Sequence, residues 1–313
     1  MESNPVVAVV QAEVAPDLRA GLQRTRELAL EAAGAGARLI AFPETWLPGY
    51  PAWLDVCRDA GLWDHAPVKA AFRRMAEESV VVGSATTAEL GAIARDAGAV
   101  LVVGVTERVD AGPGHGTLYN ALLTFGADGR LLNHHRKLVP TYTERLVWGP
   151  GDAAGVRAVA TPVGRVGGLI CWEHWMPLAR QALHESGEDS HVAVWPTVKE
   201  MNLVASRHYA FEGRCWVLAA GSLLRASALP DGLEPHPDRA PGPASLVVRG
   251  GSAIIGPDGG VLAGPVWDEP AVLTARIDAG RLREERMSLD VTGHYSRPDC
   301  LSLQRSGSGR DAG

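Results

Sequence analysis

Cys171 stands in the run Gly167-Gly168-Leu169-Ile170-Cys171-Trp172-Glu173-His174, where an apolar strand passes into a turn ahead of a helix opened by Pro177. A cysteine is a nucleophile only as its thiolate, and a position at a helix start on the edge of a sheet lowers a thiol pKa. The placement therefore predicts a partly exposed, easily ionised thiol. The competing reading is a core cysteine that closes a strand, since unpaired cysteines are among the most buried residues. Two further segments favour chemistry. The apolar run Arg38-Leu39-Ile40-Ala41-Phe42 breaks at Pro43 and delivers Glu44 beyond the strand end, where open α/β sheets keep their active sites. His134-His135-Arg136-Lys137-Leu138-Val139-Pro140-Thr141 holds one of only three lysines among 30 basic residues, the others being Lys69 and Lys199. In a chain that writes nearly every positive charge as arginine, a retained lysine points to a need for a compact ammonium. The three residues make one consistent set. Glu44 would act as general base for the thiol and later for water, Cys171 would attack an electrophilic carbon bound to nitrogen, and Lys137 would stabilise negative charge developing on the substrate.

Strands and turns must bring these side chains together. Strand-like runs occur at 6–10, 39–42, 100–105, 119–125, 166–171, 191–195, 216–220, 252–255 and 271–277, and helical patterns at 18–33, 87–97, 177–185 and 202–214. Phe125-Gly126-Ala127-Asp128-Gly129 and Ile255-Gly256-Pro257-Asp258-Gly259 read as two hairpin turns built on Asp-Gly. Crossover units mixed with antiparallel hairpins give an α/β fold with mixed sheets. No linker or low-complexity run divides the chain, so a single domain is expected over 1–305, with the Ser/Gly-rich 306–313 as a disordered tail. The proline-rich stretch 228–243 reads as a surface loop.

Four motifs, in this order and at these spacings, resemble the nitrilase superfamily of carbon-nitrogen hydrolases and, within it, the nitrilase branch. They are Phe42-Pro43-Glu44; Arg136-Lys137-Leu138-Val139-Pro140-Thr141 running on to Glu144-Arg145 and Trp148-Gly149; Cys171-Trp172-Glu173; and His294-Tyr295-Ser296-Arg297-Pro298-Asp299. The resemblance implies a four-layer αββα sandwich and a triad of Glu44, Lys137 and Cys171. It also implies a second glutamate, Glu144, that orients the triad; the alternative for Glu144 is an ion pair with Arg145 or another arginine on a solvated loop. The implied reaction converts an organic nitrile and water into a carboxylic acid and ammonia through a thioimidate and a thioester, with no metal or cofactor. Amidases of the superfamily tend to carry Cys-Tyr-Asp or a similar sequence where this chain has Cys171-Trp172-Glu173. His174, where asparagine is the commoner choice, hints at aromatic, arylaliphatic or cyanide substrates. The rivals are an amidase, a cyanide-degrading enzyme and a silent scaffold that binds small amides or partner proteins; intact Glu44, Lys137 and Cys171 speak against the last. Subunits of the superfamily commonly pair through outer-layer helices, so a homodimer or larger homo-oligomer is expected, with long spirals weak or absent because little apolar sequence follows Asp299.

Tryptophan outnumbers phenylalanine nine to four. Trp172, Trp195 and Trp148 are candidate walls for the nitrile pocket, and Trp46 and Trp175 also lie near the proposed site; the alternative is that indoles fill core space. Arg207, His208 and Glu212 on the helix after Trp195 read as structural. A net charge of −6 without a basic stripe argues against nucleic acid, and no long apolar run argues for a membrane span. Cysteines at 57, 171, 215 and 300 lack CxxC spacing, and the start Met1-Glu2-Ser3-Asn4-Pro5 lacks a basic region, which together suggest a reducing cytoplasm. Cys171-x-x-His174 has no second ligand pair at zinc spacing. A GxSxG elbow and a Walker loop are both missing, which removes the main supports for a serine hydrolase or a nucleotide enzyme.

Overall fold

Alternate residues of the first strand, β1 (Val6–Gln11), divide between two cores. Val7 and Val9 pack into one hydrophobic cluster and Ala8 and Val10 into another, as the two-residue period of a strand buried on both faces requires. The computed structural model describes residues 4–239 and 242–304. After β1 come α1 (Leu18–Gly34), β2 (Ala37–Ala41), α2 (Trp53–Val56), α3 (Ala66–Glu77), α4 (Ala85–Ala97), β3 (Val100–Arg108), β4 (Leu118–Phe125) and β5 (Leu131–Arg136). These are followed by β6 (Val159–Thr161), β7 (Gly164–Ile170), α5 (Pro177–Glu185), β8 (Ser190–Val194), α6 (Glu200–Gly213), β9 (Trp216–Ala220), β10 (Leu223–Arg225), β11 (Leu246–Ile255), β12 (Val261–Trp267), β13 (Ala271–Arg276) and α7 (Ala279–Arg286).

The strands form two mixed sheets. One has the order β13-β1-β2-β3-β4-β5, the other β10-β11-β9-β8-β7-β6 with β12 also paired to β11. Parallel pairing holds the middle of each, β1-β2-β3 and β7-β8-β9, and antiparallel pairs extend them. Val7, Val9, Leu39, Ala41, Val100 and Val102 of the first sheet share a core with Ile170, Val192, Val194 and Val217 of the second, which also takes in Ala182 and Leu183 of α5 and Tyr209 of α6. Ala8, Val10, Ile40, Leu101 and Val103 pack instead with Leu22 and Leu28 of α1 and Leu90 and Ile93 of α4. The layers are thus helix, sheet, sheet, helix, the αββα sandwich expected. Asp17 caps α1 through the Ala20 N–H at 2.8 Å, and Gly98 ends α4 in the left-handed conformation.

Both Asp-Gly turns form, with Gly129 and Gly259 at positive φ. Several elements escaped the sequence pattern for identifiable reasons. β5 buries His135 and Asn133 rather than aliphatics, so it shows no apolar alternation. β12 is largely exposed, and α7 buries only Leu282. The proline-rich stretch from 228 differs from a plain surface loop: Leu229 and Leu233 fold onto a satellite core with Trp53, Leu54 and Trp148. The expected tail at 306–313 lies outside the described residues. No helix among the described residues is long and apolar enough to cross a membrane.

Three strand ends carry the side chains singled out for chemistry. Glu44 comes just after β2, Lys137 directly after β5, and Cys171 directly after β7. The first two strands belong to one sheet and the third to the other. Gly168 lets the sheets approach there, because a Cβ on it would stand 2.7 Å from Leu122 Cδ2 of β4.

Candidate active site

Each of the three strand ends leads into a strained or tightly packed turn. Thr45, directly after Glu44, has φ 43°, Cys171 has φ 54°, and Tyr142, in the turn that carries Glu144, has φ 43°. Non-glycine residues in the left-handed region are costly and gather at functional sites. Gly104 of β3 makes space for the first turn, since a Cβ there would lie 2.2 Å from the Pro43 carbonyl oxygen.

The turns deliver four side chains to one buried point. Lys137 Nζ donates to Glu144 Oε2 at 2.6 Å and to Glu44 Oε1 at 3.2 Å. The Cys171 sulfur and one carboxylate oxygen from each of Glu44 and Glu144 lie within 4.8 Å of one another. Such a cluster has the donor atoms of a cation site; here the Lys137 ammonium sits against both carboxylates and supplies the positive charge. Glu144 is therefore not on a solvated loop with an arginine. It lies in a single 3₁₀ turn, Tyr142–Leu146, and reaches back to accept the Thr141 N–H at 2.7 Å.

Burial sets the protonation of the group. It lifts the Glu44 carboxyl to about 7, against the pull of Lys137 and with help from Glu144. Burial works against a charge on Lys137 too, but Glu44, Cys171 and Glu144 outweigh it and hold the ammonium above its ordinary value. For Cys171, burial and then Glu44 push the thiol well above its usual range, although Lys137 and the Trp172 backbone N–H favour the thiolate. This corrects the sequence expectation. Cys171 does open a turn whose first N–H faces the sulfur, but it is buried, and desolvation outweighs the turn. The resting pair is a thiol beside a carboxyl poised near neutrality.

Other residues of the site gave no clear signal in the sequence. Asn120 Nδ2 donates to Glu44 Oε1 at 2.7 Å, and the Tyr50 hydroxyl donates to Glu144 Oε1 at 3.2 Å. Glu173 Oε1 accepts the Leu138 N–H at 2.8 Å, Oε2 accepts the Ile170 N–H at 2.7 Å, and His135 Nε2 lies 2.9 Å from Oε2. One carboxylate thereby ties the residue after Lys137 to the residue before Cys171. Thr141-x-x-Glu144 carries the full capping-box spacing around the glutamate already singled out, whereas Ile170-x-x-Glu173 offers only the glutamate half of it, a weaker signal for the second latch.

A cavity of ≈ 1480 Å³ reaches Cys171 and is walled by Tyr50, Tyr142, Glu144, Trp172, Trp175 and Met201 among others. Trp172 lines this cavity. Trp195 and Trp148 do not: Trp195 is fully buried and stacked on His174 at 4.7 Å between ring centroids, and Trp148 packs beneath Tyr50 at 6.1 Å. Trp46 is also interior, its Nε1 donating to Thr25 Oγ1 at 2.8 Å. Arg207 and Glu212 hold structural partners, Gly259 and Arg180.

Comparison with known proteins gives a consistent result. The family model for carbon-nitrogen hydrolase matches residues 6–287. The chain is 38% identical over 303 residues to a bifunctional nitrilase/nitrile hydratase, NIT4A, of Lupinus angustifolius, covering 94% of this chain and 84% of that one. It is 38% identical over 317 residues to a nitrilase of Pseudomonas syringae pv. syringae, covering 96% and 89%. Among solved structures, Saccharomyces cerevisiae Nit3, a member of branch 10 of the nitrilase superfamily, superposes with a TM-score of 0.70 at 19% identity over 94% of this chain and 97% of that one, which is a likeness of fold.

Proposed function

The chain belongs to the carbon-nitrogen hydrolase family, and from that membership we propose that it is a nitrilase, with Glu44, Lys137, Cys171 and Glu144 as its catalytic residues and Trp172 in its substrate pocket. The observation that carries the reading is the Cys171 thiol buried against a carboxyl that titrates near neutrality, with an ammonium held in place by two carboxylates. Glu44 takes the thiol proton as sulfur attacks the nitrile carbon, and the nitrile nitrogen gains that proton to give a thioimidate. Water, deprotonated by Glu44, adds to the same carbon. Collapse of the tetrahedral adduct with protonation of nitrogen expels ammonia and leaves a thioester, and a second water releases the acid and the thiol. Lys137 faces the negative charge that each addition creates, in a site dry enough for the interaction to be strong. Glu144 holds Lys137 and is itself held by Tyr50 and Thr141.

Expulsion of sulfur instead of ammonia from the tetrahedral adduct would give an amide, and the hydratase activity in the name of the lupin relative makes that branch worth measuring. The test is a panel of aliphatic, aromatic and arylaliphatic nitriles, cyanide and the matching amides, with ammonia, acid and amide read together. Ammonia and acid from an organic nitrile support the reading; turnover of amides alone makes the protein an amidase, and a preference for cyanide makes it a cyanide-degrading enzyme.

We treat residues 1–305 as one hydrolase domain, supported by a site drawn from both sheets. Exposed Leu178 of α5 and Met201, Val204 and Phe211 of α6 offer an apolar face through which a second copy would pair, measurable by sedimentation. Free cysteines at all four positions fit the expected cytoplasmic location.

A further inference from the structure

Behind the nucleophile runs a line of buried polar groups that the proposed chemistry does not use. His174 Nδ1 lies 2.7 Å from the carbonyl oxygen of Cys171, His174 Nε2 lies 3.0 Å from His191 Nε2, and His191 Nδ1 lies 2.9 Å from Glu188 Oε2. Glu188 Oε1 accepts from the Tyr209 hydroxyl and stands 3.4 Å from His184 Nδ1. Arg180 closes the group, donating to Glu212 at 2.7 Å and to the His174 carbonyl at 3.0 Å. The rings are held by stacking, His174 on Trp195 at 4.7 Å and His191 on Tyr209 at 3.8 Å. Glycine leaves the room for it: a Cβ on Gly167 would stand 2.3 Å from Glu188 Oε2.

The hydrogen positions follow from the acceptors. A carbonyl only accepts, so His174 Nδ1 carries the hydrogen. Burial, then the His191 ring, push His174 well below the ordinary histidine range, so it is neutral and its Nε2 is a lone pair. His191 Nε2 must then donate. Burial opposes charge on Glu188, but His191 and His184 hold its carboxyl down at about 2, so it is the acceptor at the far end. What the line holds at the near end is the backbone of Cys171, at φ 54° in a conformation that a non-glycine residue resists.

We propose that His174, ordered by His191 and Glu188, is a positioning residue for the nucleophile: its Nδ1–H clamps the Cys171 carbonyl, holds that residue left-handed and so aims the sulfur at Glu44 and Lys137. This deepens the nitrilase reading, and the test separates the two. An asparagine amide nitrogen falls near Nδ1 of the histidine it replaces, whereas a glutamine amide falls near Nε2. His174→Asn keeps the donor to Cys171, and His174→Gln removes it while its amide oxygen, turned to that end, can still accept from His191 Nε2. The measurements are kcat and KM on a turned-over nitrile and, independently of any substrate, the rate at which iodoacetamide alkylates Cys171, located by peptide mass. His174→Gln should lose about ten- to a hundredfold in kcat with KM within about twofold, because a nucleophile displaced by an ångström costs that much. Alkylation should slow alongside, and His174→Asn should recover both to within about threefold. If His174→Gln does not fold, the same contrast moves one step back: His191→Gln, which keeps a donor near Nε2, should retain kcat, and His191→Leu should lose it. Equal kcat and equal alkylation rates in the Asn and Gln variants, or a lowered Tm with unchanged alkylation, would overturn the proposal. Absence of nitrile turnover would sink the nitrilase reading and leave the alkylation contrast to decide this one.

Discussion

Glu173→Gln isolates a side chain that ties the site together without entering the chemistry. Its carboxylate is buried, and both oxygens face donors: the Leu138 and Ile170 N–H groups at 2.8 and 2.7 Å, and His135 Nε2 at 3.1 and 2.9 Å. Glutamine replaces one oxygen by an NH₂ group. Whichever way the amide turns, an N–H meets one of the two backbone N–H groups that had donated to the carboxylate. One charge-assisted hydrogen bond is lost and one buried donor is left unsatisfied, a cost of about 2 to 4 kcal/mol. For a chain of this size that is a fall in Tm of roughly 3 to 6 °C. Since Leu138 adjoins Lys137 and Ile170 adjoins Cys171, kcat in the folded variant should also fall, by about tenfold or more. The pH dependence has a definite sign. Burial opposes ionisation of Glu173, but His135 and the two N–H groups prevail and hold its carboxyl below the ordinary value. A depressed folded pKa contributes stability that is fully present above the unfolded value of 4.5 and is lost as pH falls through the folded one. Thermal unfolding followed by circular dichroism should therefore show the full gap between wild type and variant at pH 7, narrowing below about pH 4.5. A variant within about 1 °C of wild type at pH 7, or a gap that widens on acidification, would refute the reasoning.

Because Glu44 must be ionised to act as base and its carboxyl lies at about 7, kcat/KM should rise with pH through that region; a profile flat from pH 5.5 to 8.5 would remove Glu44 from the rate-limiting proton transfer. Lys137→Arg should lose about a hundredfold or more in kcat, nearly as much as Lys137→Met, because Nζ sits buried at 2.6 and 3.2 Å from two carboxylates with no room for a guanidinium. Steady-state kinetics close to wild type in Lys137→Arg would reduce Lys137 to a structural charge. Cys171→Ala should give a folded protein with nitrile hydrolysis at background, whereas exposed Cys300 should tolerate alanine with unchanged ammonia release.

What could be read from the sequence followed depth and periodicity. The ends of the strands before Glu44 and Cys171, residues 39–41 and 166–170, are unbroken buried runs without polar side chains, and such runs stand out in a sequence. The strand before Lys137 did not stand out, since its inward residues are Asn133 and His135, which satisfy Gly155 and Glu173 instead of packing as aliphatics. An indole looks the same in a core as in a wall, so Trp195 and Trp148 were placed at the pocket when they support it from behind. The thiol was misjudged for a similar reason. Local order showed a turn start at Cys171, but the burial that raises its pKa, and the Glu44 and Glu144 carboxylates that add to it, come from segments distant in sequence. The buried histidines at 174, 184 and 191 are equally long-range, and only their contacts in the folded chain link them to the nucleophile.

Covalent attack by Cys171 on a nitrile is the central claim, and rapid-quench intact-mass spectrometry of the wild-type protein during turnover of a slow nitrile tests it most directly. The account predicts a transient mass increase equal to the whole nitrile or to its acyl group, mapped to the peptide containing Cys171, formed and lost as ammonia appears. Steady hydrolysis with no covalent species, or an adduct confined to Cys57, Cys215 or Cys300, would contradict it.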